Sequence, residues 1–454
     1  EAERRAAGLP TSEERTALVH HHLLAVVGPT PRVTITVPRG DLRAASLHHP
    51  SRWIAGIGTR RDIDSHAHGL ATVEFPVSAA EHRARQLWVL ARAGGDIRDH
   101  PAHHDDVVLR RAVAMLDARA GVGMTEYDGD LSSRPTPPFI GPVSPTAIEQ
   151  WVKCPHAYFV AHVLGVYEVE EPADIITVSA LERGSAIHDA IDRLQQAVLR
   201  GDVAPPGPDG WTPAHQALLH ELAEDVADDL EARGVAGRAA TWATARPLII
   251  EELGRWIEVD RQHWGDRRLL LSEQHFGGPD ETPVDIELPD GRRLAFVGAI
   301  DRVVELPDGT LLVTDHKTSK VEDLDQVATD PTVGGTRFQL PVYAAAARAL
   351  LGRPEAPVRA EFAFFSRGRF ARHGVTFDDT TWAQVRADLA QVVAGIDAGV
   401  FPARPKAPGF QRWVDCACCD PDGLGTADRF AEWERTRADP RLPRWFPTEA
   451  PLTA

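Results

Sequence analysis

Cysteine is scarce in this 454-residue chain: Cys154 stands alone, and Cys416, Cys418 and Cys419 crowd together near the far end. Four are too few for a disulfide framework, and a cluster of three points to metal or redox chemistry, the bland alternative being buried thiols. Basic charge is short as well. The net charge of −17 excludes a body coated in basic surface, although a local basic groove on an acidic body stays compatible with nucleic acid. No apolar run approaches the roughly 20 residues that span a bilayer, so no membrane partner is expected. The first residues, EAERRAAGLP, have no apolar signal-peptide core, and a cytoplasmic location is the expectation. There is no internal repeat. No G-x-x-x-x-G-K-[ST] occurs either, which excludes a Walker A phosphate loop.

What is present reads as globular: 43% apolar and 25% charged residues, with length enough for two or three domains. Residues 32–40, RVTITVPRG, alternate and predict a strand, between helical patterns at SEERTALVHHHLLAVVG and RARQLWVLARAG. Ser12 reads as a cap of the first helix and Gly28 as its C-terminal glycine. The Pro- and Ser-rich stretch at 132–145 reads as a linker. Ser144, Pro145 and Glu149 then resemble a cap, an N1 proline and an acidic first turn. A helix follows from about Leu181, then helices over roughly 212–264. Next the apolar period switches to two. Two Pro-Asp-Gly turns divide three strand-like runs over 284–319, a β-meander. A helix (FQLPVYAAAARALL), a strand (VRAEFAFFS) and a helix complete an α/β (α+β) pattern with a central mixed sheet.

One turn sets a register. In Leu306-Pro307-Asp308-Gly309-Thr310, proline favours the second position of a type I turn and glycine the left-handed residue that ends it. Leu306 then pairs with Thr310, and counting back along both strands puts Asp301 opposite Asp315. Lys317, two residues on, shares the face of Asp315. Like charges directly opposite are destabilising, and a divalent cation such as Mg²⁺ or Mn²⁺ would compensate. The His316 side chain faces the other way, so only its backbone carbonyl is a candidate ligand.

These residues resemble the RecB-type PD-(D/E)xK nucleases. VGAIDRVV, with Gly298, Ile300, Asp301 and Arg302, followed by LLVTDHKTSK, with Asp315 and Lys317, is similar to that family's second and third motifs. RGSAIHDAI resembles its upstream helix, which makes His188 a metal ligand, and FQLPVYAAA its downstream Gln-x-x-x-Tyr, here Gln339 and Tyr343. Those two share a helix face, with Pro341 tolerable only in the first turn. The resemblance covers roughly residues 144–420 and is greatest to the C-terminal part of AddB-like helicase-nuclease subunits. It implies a restriction-endonuclease-like core over 144–425, preceded by a helicase-like, non-ATPase α/β segment (1–131) and a linker (132–143), with a tail at 426–454.

It further implies a [4Fe–4S] cluster. Cys154 matches the first ligand and Cys416 and Cys419 a following C-x-x-C, but Gly425 stands near the place of the last cysteine and Cys418 is squeezed inside the pair. Four-cysteine, three-cysteine, zinc and metal-less readings stay open. By the resemblance, His188, Asp301 and Asp315 hold Mg²⁺ or Mn²⁺. Lys317 stabilises developing charge or orients the water, and Gln339 and Tyr343 contact the DNA backbone or brace the site. Arg302 pairs with a phosphate or forms a structural salt bridge, and Glu273 reads as a strand acid more than a second-metal ligand. The function implied is a metal-dependent DNA nuclease, an exonuclease, in a helicase-nuclease complex of double-strand-break repair, with DNA and a helicase chain as partners. A catalytically silent DNA-binding scaffold and a CRISPR-adaptation-type nuclease are the rivals.

Overall fold

The computed structural model describes residues 4–5, 10–37, 49–54, 58–59, 69, 72–134, 141–167, 175–320, 322, 324–366, 369–405, 418 and 429–442. The chain divides into two compact units, one of residues 1–121 and 408–428, the other of 122–407 and 429–454. Among the described residues no helix is long and apolar enough to cross a membrane.

The regular elements described in the first unit are helices: α1 (Ser12–Val27), α2 (Ala79–Arg92), α3 (Pro101–Asp105) and α4 (Val107–Ala120). Thr11, not Ser12, caps α1: its hydroxyl accepts from the Glu14 amide and the Glu14 carboxylate accepts from the Thr11 amide, a reciprocal box. The strand expected at residues 32–40 does not form over 32–37, and 38–40 lie outside the described residues. Val33, Ile35 and Val37 are exposed there, and alternation makes a strand only where a sheet or core receives one face.

The second unit opens with α5 (Pro145–Lys153) and α6 (Pro155–Tyr158). Ser144 caps α5 by accepting from the Ala147 amide at 3.2 Å, and Pro145 takes the first helical position. Glu149 is no first-turn acid. It lies in the middle of α5, 3% exposed, on the same buried side as Ile148 and Val152. Then come α7 (Ala180–Arg200), α8 (Pro213–Ala232) and α9 (Ala239–Trp264), and the strands β1 (Arg268–Phe276), β2 (Val284–Glu287), β3 (Arg293–Phe296), β4 (Gly298–Glu305) and β5 (Leu311–Lys317). The unit continues with α10 (Gln339–Leu350), β6 (Val358–Ser366), β7 (Arg369–Thr376), α11 (Asp379–Asp397) and α12 (Arg429–Thr436).

The expected meander is two separate things. β2 and β3 form a two-stranded sheet of their own, while β1-β4-β5-β6-β7 form a mixed five-stranded sheet. The run expected as one strand breaks at Val297, because Val143 intervenes: its amide donates to Ala295 and its carbonyl accepts from the Val297 amide. The β4–β5 turn closes as expected. The Leu306 amide donates to the Thr310 carbonyl at 2.9 Å, and Gly309 takes φ 83°, where an L side chain is disfavoured. The pairs Glu305–Leu311, Val304–Leu312, Val303–Val313 and Arg302–Thr314 follow. The central strand β5 runs parallel to β6, and the α10 crossover connects the two.

Both faces of the sheet are covered, which is why β5 reads as a nearly unbroken apolar run. Leu311 and Val313 pack with α5, α10 and α11. Leu312 and Val304 pack with α7, α8 and α9. The polar end of β5 emerges between these layers.

Candidate active site

Five elements bring polar side chains to that end of the sheet. Helix α7 starts at the Ser179 cap and buries Ile187, Ala190, Ile191 and Leu194. That packing leaves His188 at the margin of the buried face, with its ring toward the sheet. Its Nδ1 lies 3.2 Å from Glu273 Oε1 and 3.7 Å from Asp301 Oδ2. One ligand atom from each of His188, Glu273 and Asp301 falls within 4.8 Å of the others.

Glu273 is therefore a member of the cluster, not a bystander in its strand. Ser272 and Gln274 pair with Arg302 and Ile300, which puts Glu273 across from Asp301. It holds φ 39°, a left-handed conformation that costs a non-glycine residue about 1–3 kcal/mol and concentrates at functional sites.

The regular β4–β5 pairing stops at Arg302–Thr314, one step short of the two aspartates. Instead of a ladder bond, the His316 amide donates to the Asp301 carboxylate at 2.6 Å. Asp315 turns to Lys317: Nζ lies 2.6 Å from Asp315 Oδ2 and donates to Gln339 Oε1 at 2.8 Å. Asp315 is 3% exposed, and Lys317 also stands over the Phe362 ring. Asp315 is thus adjacent to the three-residue cluster and engaged with the lysine.

Gln339 is the first residue of α10, which puts Pro341 in the first turn as required. Tyr343, one turn on, is 8% exposed and packs edge-on against Phe276. Burial first, then the charges of Asp315 and Asp301, raises its hydroxyl pKa, so it adjoins the acidic residues of the site. The His316 ring is on the opposite side from Lys317, buried at 5.7 Å from Trp256 and 6.0 Å from Phe365. Burial first, then the Arg302 charge, pushes its pKa well below the ordinary value and keeps it neutral.

The remaining shifts describe an excess of buried negative charge. Burial first, then Asp315 and Glu273, lifts the Asp301 carboxyl to about 7, against the opposing pull of His188 and of the His316 amide. Burial would lower His188, but its bond to Glu273 and the charges of Asp301, Glu273 and Asp315 raise it to about 9. Burial likewise opposes the Lys317 ammonium, and the Asp315 charge and bond outweigh it and raise its pKa. One imidazole and two carboxylates, with no cation among them but a protonated histidine, fit a divalent metal ion of the oxygen- and nitrogen-preferring kind.

Arg302 makes no contact of the DNA-binding kind considered for it. It is fully buried and bound in bidentate fashion to Asp260 of α9 at 2.7 and 3.0 Å. Asp260 also accepts from Arg372 and from the Trp211 indole, and Arg372 bonds Glu361. A phosphate has no access to this guanidinium, and the network is invisible in the sequence because its members lie on distant elements.

Of the cysteines, Cys154 ends α5 and accepts the Arg404 amide on Sγ at 3.4 Å. Cys416 and Cys419 lie outside the described residues, and Cys418 falls in the other unit.

The family model of the PD-(D/E)XK nuclease superfamily matches residues 142–422. The chain is 25% identical over 187 residues to a subunit of the ATP-dependent helicase/deoxyribonuclease of Clostridium tetani, a stretch amounting to 39% of this chain and 15% of that protein. The corresponding helicase/deoxyribonuclease subunit of Acetivibrio thermocellus is 24% identical over 184 residues, 38% of this chain and 15% of its own. The matched segment is thus a small part of these relatives. A solved structure titled "Crystal structure of SSO0001" overlaps 52% of this chain and 84% of its own, at 12% identity and a TM-score of 0.18.

Proposed function

The chain belongs to the PD-(D/E)XK nuclease superfamily, and from that premise we propose that it is a divalent-metal-dependent DNA exonuclease module. Its setting is a helicase–nuclease complex acting in double-strand-break repair and recombination, with a helicase chain as partner. The supporting observation is the meeting of Asp301, His188 and Glu273 beside a lysine that Asp315 and Gln339 hold in place. The descriptions of the two curated relatives support the setting, in which residues 1–131 would be a helicase-like segment.

His188, Glu273 and Asp301 would hold Mg²⁺ or Mn²⁺, with Asp315 and the His316 carbonyl as further donors, and the ion would polarise the phosphoryl group and acidify a bound water. The chain's own groups do the rest. Lys317 offers a fixed ammonium to the negative charge that grows on the phosphoryl oxygens as the leaving oxygen departs. Asp315 keeps that ammonium protonated and aimed. Gln339 limits its swing by accepting one of its three N–H groups, and Tyr343 backs the helix that carries Gln339. A cysteine-held iron–sulfur staple, from Cys154, Cys416, Cys418 and Cys419, is proposed on the sequence alone. Iron and sulfide analysis with a visible spectrum of anaerobically purified protein tests it, and an absence of both removes it.

End-labelled linear DNA and the same DNA as a closed circle test the function. Metal-dependent release of short products from the linear form, with the circle intact, supports the exonuclease. Cleavage of the circle overturns the exonuclease assignment, and binding without hydrolysis in Mg²⁺ or Mn²⁺ identifies a silent DNA-binding module.

A further inference from the structure

Helix α10 begins without a cap of its own. Its N-cap position is Phe338, whose side chain has no acceptor for the exposed amides of the first turn. The acceptor comes from 189 residues upstream: Glu149 Oε1 of α5 takes the Phe338 amide at 2.6 Å and the Gln339 amide at 3.2 Å. This carboxylate is 3% exposed, so it is committed to the task. Burial raises its pKa, opposed by Lys153, by the Phe338 amide, by Arg337 and by Lys317. Lys153, one turn on in α5, lies 3.6 Å from its other oxygen.

The next link makes the contact functional. Gln339, whose amide Glu149 holds, is the residue whose side-chain oxygen accepts from Lys317 Nζ at 2.8 Å. A continuous bonded path therefore runs from Glu149 through Gln339 to Lys317 and Asp315. We infer that Glu149 is a positioning residue for the nuclease reaction: it caps α10 from a distant helix and thereby fixes the Gln339 oxygen that holds Lys317. The inference rests on the nuclease reading given above. A Glu that merely stapled α5 to the core would bond anywhere along its neighbour. This one bonds the two amides that set where α10 starts.

The test uses the full chain with Glu149→Ala and Glu149→Gln, beside wild type and Lys317→Ala. Amide hydrogen exchange at Phe338 and Gln339 reads the cap, with the Val313 amide of β5 as the control for an intact fold. Glu149→Ala is expected to speed exchange at the two amides about tenfold and to lower kcat about tenfold with KM within about twofold. Glu149→Gln retains an oxygen acceptor and is expected to restore both to within about threefold. Unchanged exchange in folded Glu149→Ala, or a loss carried by KM alone, overturns the inference. If Glu149→Ala does not fold, Glu149→Gln decides: slow exchange with near-normal kcat supports the cap, and slow exchange with kcat as low as Lys317→Ala overturns it. If wild type does not cleave, or Lys317→Ala cleaves normally, the nuclease reading falls, and exchange at Phe338 and Gln339 still decides whether Glu149 is the cap.

Discussion

The Asp301 carboxylate accepts the backbone amide of His316 at 2.6 Å across two neighbouring strands. This bond replaces the ladder pair that would follow Arg302–Thr314 and aims the carboxylate toward His188 and Glu273. Asp301→Asn keeps an oxygen for the amide but removes the charge. The expected outcome is a folded protein with its melting temperature within a few degrees of wild type and Mn²⁺ affinity lowered at least about tenfold, measured by isothermal titration. Unaltered affinity contradicts Asp301 as a ligand.

Glu273 offers a trade between stability and function. Its φ of 39° suits glycine. Glu273→Gly is expected to raise stability by about 1 kcal/mol, or roughly 2–4 °C in melting temperature, while weakening Mn²⁺ binding. A parallel loss of both would show that the residue is structural only.

The Arg302–Asp260 pair governs acid stability. Burial would raise the Asp260 carboxyl, but the Arg302 charge and bonds, then Arg372 and Trp211, hold it far below the ordinary carboxylate range. A depressed carboxylate contributes stability that is fully present above its unfolded pKa of about 3.9 and fades as pH falls toward the folded value. Stability is therefore expected to drop from about pH 4 downward. In Asp260→Asn that acid limb flattens, and neutral stability falls by about 3–5 kcal/mol, both read from urea unfolding across pH. Because Arg302 meets no phosphate, a folded Arg302→Lys protein is expected to leave the salt slope of DNA binding unchanged.

Gly298 opens β4 because the space beside it is taken. A Cβ there would lie 2.9 Å from Phe276 Cζ and 3.4 Å from Tyr343 Cε1, and Phe276 is 1% exposed with no room to retreat. Gly298→Ala is expected to cost about 1–3 kcal/mol, with part of the loss recovered by adding Phe276→Leu. Thermal melting of the single and double variants checks both.

What the sequence discloses here is local chemistry. Pro307, Asp308 and Gly309 carry the register of β4 and β5 because turn geometry depends on the residues inside the turn. The adjacency of Asp315, Lys317 and Asp301 follows from it. What depends on distant partners stayed hidden. The break at Val297 exists because Val143 inserts beside Ala295. Arg302 is buried because Asp260, 42 residues away, waits for it. Glu149 looks like a first-turn acid until α10 is seen starting on it. Glu273 is one acid among many in the sequence, and its left-handed backbone, the mark that singles it out, cannot be read from residue types. The apparent strand at 32–37 shows the converse: alternation supplies a face, and no described strand receives it.

The most direct test of the account is cleavage of linear DNA in Mg²⁺ or Mn²⁺ by wild type and by Lys317→Ala, prepared identically and shown to be folded. The account predicts metal-dependent cleavage by wild type and a loss of at least about 100-fold in kcat in the variant, of the size seen when one preorganised charge-stabilising group is removed. Undiminished cleavage by pure Lys317→Ala would contradict it.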